Sequence, residues 1–213
     1  MDADIALRLG GEPVRLLGER ALLWPAGRAL LIADLHLGKA DVFRRAGIGL
    51  PSGGTRDDLQ RLQALVQAHD CQALWVLGDV LHGPVHRAAW YQQWQAWREQ
   101  NADLDVHVVR GNHDRQLPHA GLRVQLHDDT RLGPFLLCHE PRTCTDAHVL
   151  AGHVHPQVAL PALRRRFPAF WLREGSSVLP AFSAFTAGVV PVLQRGEQLV
   201  ACVQGEAIAL PPA

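Results

Sequence analysis

The amino-acid sequence predicts an α/β fold, in which a parallel or mixed β-sheet packs against helices. Short apolar runs, typical of buried strands, alternate along the chain with segments of helical periodicity. Several of these runs end in a polar residue that often lies beside a glycine. From residue 166 to residue 210 the pattern changes to short strand-like pieces separated by Gly and Pro, which predicts a second sheet.

The sequence predicts seven strands before residue 152. Strand-like pieces lie near residues 5–9 and 15–17, and the purely apolar run 29–33 ends at Asp34, as a buried strand with a polar residue at its tip would. Four further runs have the same design: residues 72–77 before Gly78 and Asp79, 105–109 before Gly111, Asn112 and His113, 135–138 before His139, and 147–151 before Gly152 and His153.

Two helices are predicted between these strands. The first begins after Thr55, a plausible N-cap, and places apolar residues at helical spacing at Leu59, Leu62, Leu65 and Val66. The second, over residues 87–100, places Trp90, Trp94 and Trp97 on one face. Such a stripe could stack the bases of a single-stranded nucleic acid, but packing of the helix on its sheet is the favoured interpretation.

Length and composition indicate a globular protein. The chain has 213 residues, of which 47% are hydrophobic and 20% are charged, the balance of a soluble protein with a substantial core. We find no internal repeat and no long linker, and therefore expect a single domain over residues 1–213. Charged residues near the N-terminus leave no room for a signal peptide, and no apolar run could span a bilayer, so a cytoplasmic location without membrane contact is expected.

Charge and metal-binding residue types limit the function. Lys plus Arg equals Asp plus Glu at 21 each, so any contact with nucleic acid must be local. The four Cys form no C-x-x-C pair and are expected to be buried free thiols. Twelve His is a large number for this length and favours a metal site.

The polar residues at the predicted strand ends are all of metal-ligand types. They are Asp34, His36, Asp79, Asn112, His139, His153 and His155. Ligands in α/β proteins gather beyond the carboxyl ends of the strands, so these residues are expected to converge. Each histidine alone would be interpreted as structural or exposed, but their occurrence together in this order predicts a metal site. His82 follows Asp79 closely enough to line that site.

Five motifs occur in the order D-x-H, G-D, G-N-H-[DE], H and G-H-x-H, and with them the sequence resembles the calcineurin-like metallophosphoesterase superfamily. Within it, DLHLGK at 34–39, FRRAG at 43–47, CHEP at 138–141 and LPAF at 179–182, followed by Phe185 and Thr186, resemble the bacterial ligase-associated DNA-damage-response endonucleases. The resemblance covers about residues 31–186.

The resemblance implies an α/β/β/α sandwich of two mixed sheets flanked by helices, and two divalent metal ions. By motif, one metal would be held by Asp34, His36 and His155, the other by Asn112, His139 and His153, with Asp79 bridging both. A bridging carboxylate suits two cations about 3.5–4 Å apart, the separation of two-metal hydrolases. His113 would contact the phosphoryl oxygens and protonate the leaving group, and Asp114 would accept the other ring proton of His113 and fix its tautomer.

The resemblance further implies a phosphodiesterase or endonuclease acting on DNA, with single strands favoured, in repair beside a DNA ligase and a helicase. Manganese is the metal the family implies, although iron or zinc would suit the same donors. Lys39 is expected to contact a phosphate. The arginines Arg44, Arg45, Arg164, Arg165 and Arg166 either track the DNA backbone or are solvated loop charges.

Two other functions stay open at this point. A phosphoesterase acting on a nucleotide or another small phosphoester would need the same chemistry. A non-catalytic scaffold of the same fold would show erosion of the ligand set, and no erosion is visible in the sequence.

Overall fold

The computed structural model describes residues 4–45, 47, 54–82, 89–160 and 163–213, without the side chain of Arg45. These residues form two mixed β-sheets and three α-helices. The predicted fold class, two mixed sheets flanked by helices, is confirmed.

The first sheet has seven strands that lie side by side in chain order. They are β1 (Ile5–Leu9), β2 (Glu12–Leu17), β3 (Ala21–Trp24), β4 (Ala29–Ile32), β5 (Ala73–Leu77), β6 (Asp105–Val109) and β7 (Gln125–His127). The strands from β1 to β4 pair antiparallel, and those from β4 to β7 pair parallel. Parallel neighbours need long crossovers, which here carry the helices: α1 (Lys39–Arg45) and α2 (Thr55–Ala68) before β5, and α3 (Ala89–Gln100) before β6.

The second sheet is built from the rest of the chain. In sheet order its strands are β15 (Glu206–Ala209), β14 (Gln198–Val203), β12 (Arg165–Arg173), β13 (Ser176–Val178), β10 (His148–Ala151), β9 (Phe135–Leu137) and β8 (Thr130–Leu132), and β11 (Gln157–Leu160) pairs with β12. Strand β10 runs parallel to β9 and β13, and the other pairs are antiparallel. Residues 166–210 therefore contribute to a second sheet, as predicted, but that sheet begins earlier, at β8, and also includes β9 and β10.

Alternate residues of β4 divide the core. Leu30 and Ile32 face the helices, whereas Ala29 and Leu31 face the second sheet, as the period of two in a strand requires. The layer between the sheets also contains Phe135 of β9 and Phe170 of β12, both fully buried. The two sheets thus share one apolar layer.

The tryptophans of α3 lie in the core on the other face of the first sheet. Trp90, Trp94 and Trp97 are buried together with the apolar face of α2, and Trp94 Nε1 donates a hydrogen bond of 2.9 Å to the carbonyl oxygen of Leu122. The core interpretation of this stripe is confirmed. The prediction that Thr55 is an N-cap is wrong: the N-cap is Gly54, and the Thr55 hydroxyl accepts a hydrogen bond from the Gly38 N–H at 3.4 Å.

Two further expectations concern the chain as a whole. All four cysteines are free, with Cys138 and Cys202 buried and Cys71 and Cys144 partly exposed. Among the helices that the structure describes, none has the length and apolarity needed to cross a membrane.

Candidate metal centre

The seven predicted metal ligands follow strands of both sheets. Asp34 and His36 follow β4, Asp79 follows β5, and Asn112 follows β6 in the first sheet. The other three come from the second sheet, where His139 follows β9, and His153 and His155 follow β10. The structure brings these side chains together in two adjoining clusters at the edge where the sheets meet.

The first cluster consists of Asp34, His36 and His155, whose potential ligand atoms lie within 4.8 Å of one another. The Nε2 atoms of His36 and His155 are 3.4 Å apart, and Asp34 Oδ1 lies 3.5 Å from His155 Nε2. Asp34 Oδ1 is buried and has no hydrogen-bond partner among the residues described. A buried carboxylate oxygen without a donor is costly, so this atom fits a cation as its partner.

The second cluster consists of Asp79, His139 and His153, again with ligand atoms within 4.8 Å of one another. His139 Nε2 lies 3.0 Å from His153 Nδ1 and 3.5 Å from Asp79 Oδ1. The amide oxygen of Asn112 is 2.9 Å from the same nitrogen. Four potential ligands therefore surround one point, and Asn112 and His153 are exposed on its solvent side.

The two clusters are in direct contact through Asp34. Its Oδ1 atom, part of the first cluster, lies 3.9 Å from His139 Nδ1 in the second. The backbone also joins them, because the carbonyl oxygen of Asp79 accepts a hydrogen bond of 2.8 Å from the N–H of His36. The arrangement suits two cations held side by side.

Hydrogen bonds outside the clusters orient two of the imidazoles. His139 Nδ1 lies 3.1 Å from the carbonyl oxygen of Leu77, and His155 Nδ1 lies 3.0 Å from that of Ala187. Each carbonyl can only accept, so both rings carry their proton on Nδ1 and direct the Nε2 lone pair into the clusters. This is the contact that orients metal-binding histidines in general.

The backbone at the site is unusual for L-residues. Five of the seven predicted ligands have left-handed backbone angles, with φ of 54° at Asp34, 49° at His36, 49° at Asp79, 69° at His153 and 50° at His155. Each such residue costs on the order of 1–3 kcal/mol and persists only where its surroundings hold it. Among the described residues, these five are part of a set of eleven non-glycine residues with positive φ.

Glycines allow the ligand loops to approach one another. Gly78 has φ of +79°, and a Cβ added there would overlap Nδ1 of His139. A Cβ at Gly111 would overlap the backbone nitrogen of Asp79, and one at Gly152 would lie 2.8 Å from Asp34 Oδ2. Close packing of the ligands thus requires these positions to lack side chains.

Burial and the charge of Asp34 shift the pKa values of the two histidines in the first cluster in opposite directions. It lowers the pKa of His36 to about 2, with Lys39 and His155 acting in the same direction, so this imidazole is neutral and able to bind a metal. Burial also acts to lower the pKa of His155, but Asp34, whose Oδ1 lies 3.5 Å from His155 Nε2, outweighs it and raises that pKa. Burial lowers the pKa of Lys39 even though Asp34 and Asp79 oppose the shift, which places this lysine within electrostatic reach of both carboxylates.

Two further histidines border the clusters. The His113 side chain is 48% exposed, and its Nε2 lies 3.9 Å from Asp79 Oδ2, while its backbone N–H donates a hydrogen bond of 3.0 Å to Asp79 Oδ1. The ring centroid of His82 lies 5.1 Å from that of His36 and 5.3 Å from that of His113. His82 therefore lines the site, as its position after Asp79 suggested.

Asp114 is placed differently from the expectation that it orients the His113 ring. Its Oδ1 accepts a hydrogen bond of 3.1 Å from the N–H of Leu81, and its Oδ2 accepts one of 2.9 Å from the N–H of Gly111. The carboxylate is buried and directed at the backbone, because two N–H groups there need an acceptor. Asp114 thus joins the loops that carry Asp79 and Asn112, and the expected contact with the His113 imidazole is absent from this structure.

The predicted arginines separate into two groups. Arg165 and Arg166 line a cavity of about 330 Å³ that is also lined by His155. Arg164 is exposed in the preceding turn, and Arg44 is exposed and paired with Asp41. The side chain of Arg45 lies outside the described part of the chain. Sequence reasoning missed Arg20, which lines the same cavity as Arg165 and carries no motif that points to it.

Comparison with known proteins agrees with this geometry. A sequence model for the calcineurin-like phosphoesterases matches residues 27–143. The crystal structure of Pseudomonas putida nuclease MPE is similar over 97% of this chain and 100% of that one, with 38% identity and a TM-score of 0.84. The phosphoesterase Yfce from E. coli shares 18% identity over 85% of this chain and 96% of its own, with a TM-score of 0.48. No curated protein sequence matches the chain.

Proposed function

The chain belongs to the calcineurin-like phosphoesterase family and is a metal-dependent phosphoesterase, and from this premise we propose that it is a two-metal nuclease acting on single-stranded DNA. The observation that supports the proposal most directly is the pair of adjoining clusters, in which imidazole lone pairs and carboxylate oxygens face a common centre. The 38% identity to a nuclease over almost the whole chain supports a nucleic acid as substrate.

The residues present fit two divalent cations. We assign Asp34, His36 and His155 to one ion and Asn112, His139 and His153 to the other, with Asp79 shared between them. The unpaired Oδ1 of Asp34 and the facing nitrogens of His36 and His155 are the atoms that a cation would satisfy. A bound pair of cations would polarise the phosphoryl group and lower the pKa of water at the site.

His113 has the position of a group that acts on the substrate. Its half-exposed ring lies at the solvent side of Asp79, so it can donate a hydrogen bond to a phosphoryl oxygen and pass a proton to the leaving oxygen. Asp114 acts through the backbone: by holding the Leu81 and Gly111 N–H groups it positions the loops on either side of the site. Lys39 supplies a positive charge near both carboxylates, where it can attract a phosphate.

The metal proposed is manganese. Imidazoles, carboxylates and one amide oxygen suit manganese, iron and zinc alike, and selection in cells depends on availability as well as geometry. Metal analysis of the purified protein, followed by activity of the metal-free protein with each ion, tests the choice. Zinc or iron at full activity, with manganese inactive, would contradict it.

The proposed place of action is DNA repair in the cytoplasm, beside a DNA ligase and a helicase. The support for these partners is the sequence resemblance to ligase-associated endonucleases. Affinity capture with purified ligase and helicase, compared with capture by an unrelated DNA ligase, tests a physical contact.

The decisive test of the nuclease proposal is cleavage of a defined oligonucleotide. With manganese present, we expect the protein to cut a single-stranded oligonucleotide faster than the matching duplex, because a flexible strand brings one phosphodiester onto the two ions more easily. Asp79→Asn serves as the inactive control. Hydrolysis of mononucleotides or small phosphoesters without cleavage of any oligonucleotide would replace the nuclease by a small-molecule phosphoesterase.

A further inference from the structure

A cavity adjoins the first metal cluster on the side of the second sheet. It has a volume of about 330 Å³ and lies between the β11–β12 hairpin and the segment that follows β13. His155, a proposed metal ligand, forms part of its wall, so the cavity borders the first cluster. Its other polar lining residues include Arg20, Arg165, Arg166, Ser183 and Thr186. We refer to it as the His155 cavity.

The His155 cavity is strongly cationic. Three arginines line it, and none of its lining residues in the described part of the chain is Asp or Glu. This concentration of charge contrasts with the chain as a whole, whose formal net charge is zero. A cavity of this kind favours an anion, since guanidinium groups bind phosphate oxygens with charge-assisted hydrogen bonds.

A cavity beside the second cluster differs in charge. A cavity of about 460 Å³ is lined by Asn112 and His139 of the second cluster. Its two arginines, Arg110 and Arg142, are balanced by Asp129 and Glu140, and Arg142 is already paired with Asp129. Of these two cavities, the His155 cavity therefore has the stronger preference for an anion.

The three arginines of the His155 cavity differ in the contacts that they make. Arg20 is held in the wall, where its Nη1 donates a hydrogen bond of 3.0 Å to the carbonyl oxygen of Ser183. Arg165 lies over the ring of Phe167, with 5.5 Å from its guanidinium carbon to the ring centroid. Within the described residues neither Arg165 nor Arg166 has a carboxylate within 4.0 Å, so both are available to an incoming anion.

We propose that the His155 cavity binds the phosphate next to the scissile phosphodiester, with Arg165 and Arg166 as its ligands and Arg20 as its fixed wall. The inference rests on the proposed nuclease function and gives it a substrate class. His155 belongs both to the metal centre and to the cavity, so a phosphate here is the immediate neighbour of the one being cleaved. A mononucleotide or an aryl phosphodiester has no second phosphate, and the cavity thus selects polynucleotides over small esters.

The test compares substrates with and without a neighbouring phosphate. We expect Arg165→Ala combined with Arg166→Ala to lower the ratio of kcat/KM for a single-stranded oligonucleotide to that for bis(p-nitrophenyl) phosphate by about tenfold or more, the effect of losing a charge-assisted hydrogen bond. The dependence of log affinity on log salt should also flatten by about 0.7 for each phosphate that the variant no longer neutralises. Replacing Arg166 by Lys instead of Ala in the double variant keeps the charge but not the forked donors, so it should preserve more of the salt dependence than the double alanine variant.

The matched control is Arg8→Ala, an exposed arginine on β1 that lies in neither cavity. It should leave both the ratio and the salt dependence at their wild-type values. An unchanged ratio and slope in the double variant would overturn the inference, and so would an equal loss on both substrates, which would mean that the arginines support the metal centre itself. Failure of the wild-type protein to cut any oligonucleotide would instead overturn the proposed nuclease function.

Discussion

The backbone N–H of His153 donates a hydrogen bond of 2.9 Å to Oδ2 of Asp34, which ties a loop of the second sheet to a carboxylate at the tip of the first. Each of the two clusters combines residues that follow strands of both sheets. His155 from the second sheet faces Asp34 and His36 from the first, and His139 and His153 face Asp79 in the same way. Cations bound at these clusters would therefore link the two layers of the sandwich.

Metal removal is accordingly expected to lower stability. A ligand that binds only the folded state at 100 times its Kd adds about 2.7 kcal/mol for each site, so stripping both ions should reduce Tm by several degrees. Calorimetry before and after chelation, and again after manganese is added back, measures the effect. An unchanged Tm in protein shown to be free of metal would contradict a link between the sheets.

Asp79→Asn is predicted to weaken both metals together. The substitution removes the negative charge of the residue we assign to both ions, while the amide keeps nearly the same shape. Metal content per chain should fall well below two, and hydrolysis should fall with it. Wild-type stoichiometry with full activity would show that Asp79 is not shared.

His113→Ala is predicted to reduce turnover without loss of metal. His113 lies 3.9 Å from Asp79 Oδ2 and half-exposed, so its removal leaves the ligand sets intact. A loss on the order of 10²-fold or more is expected for a group that contacts the transferring phosphoryl group or protonates the leaving oxygen. His119→Ala, an exposed histidine outside both clusters, is the control. A metal-deficient His113→Ala protein would make this histidine a ligand.

Asp114→Asn is predicted to lower stability and metal affinity. Asp114 accepts from the Leu81 and Gly111 N–H groups, whereas an asparagine has one acceptor oxygen and would direct its NH₂ group at the other donor. Leaving one buried N–H without an acceptor costs about 1–3 kcal/mol. Thermal unfolding and metal titration measure both effects. A changed pH–rate profile at unchanged stability would instead restore the expected role of Asp114 beside His113.

The sequence predicts the strands that carry the ligands because their apolar runs end abruptly at a polar residue. In the run before Asp34, for example, every residue is buried and the next side chain enters the site. Four short strands, β3, β7, β8 and β11, were not predicted, since three or four residues give little evidence of a period of two. The N-cap at Gly54 was also missed, because a glycine N-cap has no side-chain signature to distinguish it from Thr55.

At the site, residue types and motif order predict the residues of the two clusters but not those that support them. Arg20 is separated from His155 by most of the chain, and only the packing of the two sheets places both in one cavity. Asp114 follows His113 directly, which suggested a contact between their side chains. The backbone turn there instead directs the carboxylate inward, and this direction cannot be read from adjacency in the sequence.

The last prediction concerns Gly78, where backbone angle and packing act together. Its φ of +79° disfavours any side chain, and an added Cβ would overlap Nδ1 of His139, the atom that is hydrogen-bonded to Leu77. Gly78→Ala should therefore push His139 out of the second cluster, so that metal content falls toward one ion per chain and activity is lost. Gly11→Ala is the matched control: Gly11 has nearly the same φ, +84°, but a Cβ there would meet nothing within 4 Å. It should carry only the backbone strain, on the order of 1–3 kcal/mol, and keep both metals. Equal loss of stability in the two variants, with full metal content in both, would show that His139 does not depend on the space beside Gly78.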